Sequence, residues 1–154
     1  MGLLVPEERA IFGQLTVEEN LRLAALTAEE PWSLDRVFEV FPPLKERRRS
    51  GGRQLSGGEQ QMLAIARGLI RDAQVILLDE PFEGLAPLIV RDLVQVSREL
   101  AAQGRTILVV EQNVVAALSF SNRVYVLNKG HICWEGTPAA LEADSAVMKM
   151  HLGV

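Results

Sequence analysis

Two periodicities run along this chain. Met62, Ile65, Ala66, Leu69 and Ile70 recur at helical spacing, and so do Ile89, Leu93, Val96 and Leu100. Gln74–Asp79 and Thr106–Val110 are short apolar runs rich in branched residues, which predicts two strands buried on both faces. Between and around them the punctuation is clear. Ser56 with Glu59 forms a capping box in front of the first helix, and Pro87 opens the second at a position where its missing N–H costs nothing.

The flanks follow the same logic. Met1–Val5 is an apolar stretch stopped by Pro6, the end of a strand. Thr16 with Glu19 caps a helix over Val17–Ala28, whose apolar face is Val17, Leu21 and Leu23–Leu26. Ser33 caps a second short helix carrying Val37, Phe38 and Phe41, which Pro42 and Pro43 are expected to end. Lys45–Arg53 reads as a polar linker, and Asn113–Phe120 as a short helix. Arg123–Leu127 and His131–Glu135 read as strands joined at Asn128-Lys129-Gly130, a hairpin signal, before a last helix started by Thr137 and Pro138. Strand, long helix, strand, helix and hairpin make an α/β chain.

Composition narrows this. With 154 residues the chain is one domain or part of a larger one, and 48% hydrophobic with 23% charged residues excludes a mostly disordered polymer. A net charge of −4 argues against a surface built to neutralise nucleic-acid phosphates. The lone Cys133 has no internal disulfide partner, which suits a reducing cytoplasm. No apolar run approaches the about 20 residues of a membrane span, and no secretion signal is visible at Met1–Glu8.

The chemistry concentrates in two places. Gln54-Leu55-Ser56-Gly57-Gly58-Glu59-Gln60-Gln61 puts two glycines just inside a capped helix start, where bare N–H groups and the helix dipole can receive a phosphate. The bland alternative is an ordinary capped helix with a flexible beginning. Farther on, Val75-Ile76-Leu77-Leu78-Asp79-Glu80 delivers two carboxylates at the carboxyl end of a strand, where ligands bind in open α/β sheets. Asp79 suits magnesium, and Glu80 suits a water attacking a phosphate. Two acids running into solvent are the bland alternative here.

Taken together, these segments resemble the ATP-binding subunits of ABC transporters: Leu55–Gln60 is similar to their signature and Val75–Glu80 to their Walker B strand, with Pro81 following. Val5-Pro6-Glu7, Leu15–Leu21, Gly84-Leu85-Ala86-Pro87, Val110-Glu111-Gln112-Asn113 and the terminal His151–Val154 look like the branched-chain amino-acid importer type, with related urea or amide importers similar. The resemblance covers about Leu3 to Val154. It implies a partial P-loop NTPase (RecA-like) parallel-sheet core, an α-helical subdomain over about residues 14–55, and residues 56–154 as signature helix, Walker B core and C-terminal part with a β-hairpin.

It also implies roles. ATP and Mg2+ are the cofactors. Ser56, Gly57, Gly58 and Glu59 would cap the ATP of a partner subunit, Asp79 would serve Mg2+, and Glu80 and Gln112 would be catalytic. Glu7 stands where most members carry a glutamine sensing the membrane partner, Ala86 where an aspartate is usual, and Gln112 where a switch histidine contacts the γ-phosphate. Gln112 can donate a hydrogen bond there but cannot titrate near neutral pH. The implied partners are membrane permease subunits and a second ATPase subunit in a homo- or heterodimer, with no nucleic acid, on the cytoplasmic face of the membrane.

No Gly-x-x-x-x-Gly-Lys-Ser/Thr occurs in the 154 residues. That loop normally cradles the β- and γ-phosphates, so the chain resembles the last two-thirds of such a subunit and is expected to be inactive alone. A non-catalytic module docking to an intact subunit is the alternative. An ABC ATPase of DNA repair or translation is a third, which the wording at residues 84–87 and 110–113 argues against. The remaining features are bland. Arg47–Arg49 with Arg53 is a solvated linker before it is a headgroup patch. His131 and His151 are structural or surface residues, Trp32 and Trp134 packing anchors, and Met148 and Met150 helix packing.

Overall fold

A computed structural model describes residues 2–5 and 11–153 of the chain, which divides into two compact units, residues 1–111 and 112–154. Glu7 therefore lies outside the described residues.

In the first unit, β1 (Gly2–Val5), β2 (Val75–Asp79) and β3 (Thr106–Val110) form a parallel sheet in that order. The register pairs Val5 with Leu78, Leu77 with Leu108, and Asp79 with Val110. Side chains alternate across a sheet, so this register puts Val75, Leu77 and Asp79 on the same face as Thr106, Leu108 and Val110. The opposite face is covered: Ile76 and Leu78 are buried. The first face is not, with Leu108 50% and Val110 56% exposed and Val75 39%. The strands have the two-sided apolar character expected of them, but among the described residues only one face is covered. An apolar run shows what a strand can bury, not what is present to bury it.

Between β1 and β2 comes the helical segment. Helix α1 (Val17–Ala25) starts at the expected box: Thr16 N–H donates to Glu19 Oε2 at 2.7 Å and Glu19 N–H to Thr16 Oγ1 at 3.2 Å. It stops about a turn before the expected Ala28. Asn20 is fully buried on it and closes the preceding loop, accepting from Phe12 N–H at 2.9 Å and donating to the carbonyls of Phe12, Leu15 and Thr16. Helix α2 (Leu34–Val40) carries the expected Ser33 cap. Pro42 and Pro43 do not merely end it. They occupy the first turn of α3 (Pro42–Glu46), where proline's fixed φ suits a helix start.

The stretch taken for a linker is tied down. Val17 N–H donates to Ser50 O and Glu18 N–H to Arg48 O, Thr16 and Gly51 form a bridge, and Gly52–Gln54 is a 3-10 turn. Three of its four arginines are committed as well. Arg48 pairs with Glu18 at 2.6 Å, Arg47 with Glu59 at 3.2 Å, and the Arg53 stem packs against Gly13. Helix α4 (Gly57–Leu69) follows, buried over Gln61–Ala66, and α5 (Pro87–Ala102) connects β2 to β3, burying Leu93, Val94, Ser97 and Leu100. Trp32, buried as expected, docks the helical segment against the end of α4: its Nε1 donates to Asp72 at 3.0 Å, and the guanidiniums of Arg36 and Arg105 lie 3.6 and 4.7 Å from its ring centroid. Arg105 also donates to Asp72 at 2.8 Å, and with Trp32 it holds that carboxyl below its ordinary range.

In the second unit, Asn113 caps α6 (Val114–Phe120). Strands β4 (Val124–Asn128) and β5 (His131–Gly136) pair antiparallel across Lys129 and Gly130, whose φ values of 48° and 80° match the twist of a two-residue hairpin turn. Trp134 is half-buried and covers Gly136, where a Cβ would meet its ring at 2.5 Å. Helix α7 (Pro138–Ala143) has the Thr137 cap. Met150 is 75% exposed in a final irregular turn, which corrects its assignment to packing. His151 meets Asn128 at 3.0 Å, a surface role as expected. No helix among the described residues is long and apolar enough to cross a membrane.

Candidate functional site

The start of α4 is a reciprocal cap. Ser56 N–H donates to Glu59 Oε2 at 2.7 Å and Glu59 N–H to Ser56 Oγ at 3.3 Å. Between them, the N–H groups of Gly57 and Gly58 carry no hydrogen bond among the described residues. These are the first and second helical positions, and their donors point out along the positive end of the helix dipole. The turn in front is braced: Gln60 Nε2 donates to Gly52 O at 3.1 Å and Leu55 O at 3.3 Å. Two bare donors on a braced helix start can take two oxygens of a phosphate.

Glu59 is where charge enters this start. Burial raises its pKa, but the Ser56 N–H and hydroxyl and the Arg47 guanidinium outweigh burial and hold it below its ordinary 4.5. A depressed carboxyl stabilises the fold above its unfolded value and loses that contribution as pH falls through the folded one. The cap is therefore intact above pH 4.5 and weakens below it. Thermal melts from pH 6 to 3 should fall less steeply for Glu59→Gln than for the parent.

The two glycines have different reasons. Sequence reasoning assigned both to backbone exposure. In the fold, a Cβ on Gly58 would sit 2.3 Å from Ile89 Cγ2, in the first turn of α5. Gly58 thus lets the two helices approach. Overpacking of this kind costs about 1–3 kcal/mol, so Gly58→Ala should lower chemical-denaturation stability by that amount. Adding Ile89→Ala should recover part of it, because the methyl that clashes is gone.

At the other end of this architecture, Asp79 is exposed at the C-terminus of β2, and Glu80 follows with φ +43°. That left-handed backbone is uncommon for a residue with a side chain and must be held by its surroundings. Glu80 N–H donates to Val110 O at 2.9 Å, and Phe82 N–H donates to Glu111 Oε1, also at 2.9 Å. The fold thus brings Asp79 and Glu80 beside the end of β3. Gln112, the next residue along, is exposed and opens the second unit.

Two residues of this region escaped the sequence reading. Arg47 lies in a run that reads as solvated, and its pairing with Glu59 has no local signal. Glu111 has one: like Asp79 and Glu80, it is an acid placed directly after an apolar strand.

Comparison with known proteins gives a consistent answer. Residues 3–83 match the ABC transporter family. The high-affinity branched-chain amino acid transport ATP-binding protein BraG of Pseudomonas aeruginosa is 42% identical over 97% of this chain and 66% of its own length. The lipopolysaccharide export system ATP-binding protein LptB of Escherichia coli K12 is 35% identical over 97% of this chain and 64% of its own. The chain thus spans a little under two thirds of these relatives. Among solved structures, the ADP conformation of an ATP-binding cassette of an ABC transporter superposes with a TM-score of 0.78 at 23% identity, covering 100% of this chain and 68% of that one.

Proposed function

This chain belongs to the ABC transporter family, and we propose that it is the signature-bearing part of an ATP-binding subunit energising branched-chain amino-acid import. The single observation that supports this best is the pair of undonated N–H groups at Gly57 and Gly58, fixed between the two arms of the Ser56–Glu59 cap. In this reading Ser56, Gly57, Gly58 and Glu59 close over ATP held by a second subunit. Asp79 holds Mg2+ directly or through water. A single exposed carboxylate suits that ion, which keeps most of its waters and takes only one or two protein oxygens. When bound, ATP and Mg2+ supply the phosphoryl group and the charge that neutralises it.

What the chain itself contributes is orientation and proton handling. Glu80 accepts a proton from a water aligned on the γ-phosphate. Gln112 donates a hydrogen bond to that phosphate. Within a helical subdomain of about residues 14–55, the segment Thr16–Phe41 contacts permease subunits together with Glu7, and closure of two ATPase subunits pulls on them there; residues 56–154 supply the signature helix, the Walker B core and the C-terminal part. The assembly works at the cytoplasmic face of the membrane.

A test is to fuse a phosphate-loop segment upstream of Met1 and reconstitute the product in proteoliposomes with branched-chain amino-acid permease subunits. ATP-dependent leucine uptake is the expected result. ATPase stimulation by a lipopolysaccharide-export permease, without leucine uptake, would replace import with the export reading that the likeness to LptB favours. A second reading is a non-catalytic module that docks to an intact subunit. Under either reading the 154-residue chain should bind Mg-ATP weakly or not at all in titration calorimetry. A low-micromolar dissociation constant would contradict both.

A further inference from the structure

We propose that Glu111 is a positioning residue that fixes the turn carrying Glu80, and so couples Glu80 to the segment leading into Gln112. The inference rests on the reading of Glu80 as the proton acceptor and adds the element that regulates it. The ladder between β2 and β3 ends at the pair Asp79 and Val110. One more backbone bond follows, from Glu80 N–H to Val110 O at 2.9 Å. Beyond it no backbone carbonyl of β3 receives Phe82, and the Glu111 carboxylate takes its place at 2.9 Å, 29 positions away in sequence.

The turn so anchored is tight. Glu83 N–H donates to Glu80 O at 3.2 Å and Leu85 N–H to Phe82 O at 3.3 Å, while the Phe82 ring is buried, 5% exposed. Glu80 sits inside this frame at φ +43°, a conformation that persists only while neighbours over-determine it. Two of the bonds that contribute to it tie this turn to β3 and to the residue after it. The first is backbone and survives any side-chain change. The second depends on one carboxylate, a charge-assisted acceptor of the stronger kind. Because Glu111 directly precedes Gln112, a ligand that moves Gln112 drags on the acceptor that holds Glu80's turn.

Amide hydrogen exchange at Phe82 in the 154-residue chain tests this directly. Glu111→Ala should speed exchange at Phe82 at least about tenfold relative to the amides of α4, and Glu111→Gln, which keeps an acceptor oxygen, should restore protection. If Glu111→Ala fails to fold, Glu111→Asp decides: it keeps the charge but withdraws the acceptor by one methylene, and exchange at Phe82 should again accelerate. Parental exchange rates at Phe82 in the folded Ala variant, or in the Asp variant, would overturn the proposal. In a version completed with a phosphate loop, Glu111→Ala should lower kcat with KM for ATP retained, and Glu111→Gln should recover kcat. A drop in kcat that Gln does not rescue would also overturn it. Should Glu80→Gln leave hydrolysis intact in the same background, the assignment of Glu80 fails while the Phe82 result stands by itself.

Discussion

Glu80→Gln, placed in a version of this chain completed with a phosphate loop, should cut Mg-ATP turnover by at least about 100-fold while ATP remains bound. The change keeps the shape of the side chain and the backbone bond from residue 80 to Val110. It removes the capacity to accept a proton. General-base groups contribute about 10²–10⁴-fold, so the loss should lie in that range and appear in kcat rather than in affinity. The variant should accumulate as a closed, ATP-bound dimer, visible by size-exclusion chromatography. Gln112→Ala removes one hydrogen bond and should cost about tenfold or less. Hydrolysis at the parental rate in Glu80→Gln would move the role to another acid, and Glu111 would be the first to test.

The second large effect is on association. Leu108 and Val110, both about half exposed, share one face of the sheet with Val75 and Leu77. The outer edge of β3 pairs with no strand among the described residues. Apolar faces and open edges of this kind recruit further strands. Covering a few hundred square ångströms at about 25 cal/mol each is worth several kcal/mol, comparable with the whole stability of a domain. The 154-residue chain should therefore self-associate in light scattering. A version carrying the strand and helix of a phosphate-loop segment should melt at least about 10 °C higher and scatter as a defined species. Leu108→Lys should reduce self-association of the 154-residue chain by placing charge on the open face. A monodisperse monomer with the stability of the completed version would show that this face needs no cover.

What was legible in the sequence was local. Each capping box, at Thr16 and Glu19 and at Ser56 and Glu59, sits where the residues call for it, because a cap needs only neighbours three apart. Pro87, the turn at Lys129 and Gly130, and the strand cores Ile76 and Leu78 follow from similarly short-range rules. Most of what went unread depended on partners far along the chain. The Arg47–Glu59 and Phe82–Glu111 contacts join residues 12 and 29 apart, and no periodicity encodes such pairs. Pro42-Pro43 follows the end of α2 as expected, and the start of α3 there went unread because a proline pair that stops one helix is equally able to begin the next. Gly58 was assigned to phosphate access alone because the approach of Ile89 becomes visible only once α4 and α5 are packed.

The two tryptophans fall one in each compact unit. Trp32 is buried with two guanidiniums against its ring and its indole N–H bonded, whereas Trp134 is half-buried on a hairpin. Each unit thus contains its own intrinsic fluorophore, in a distinct optical environment. Replacing one indole at a time with phenylalanine would leave a chain whose emission wavelength follows the opening of a single unit, so the order in which residues 1–111 and 112–154 come apart can be read without any added label.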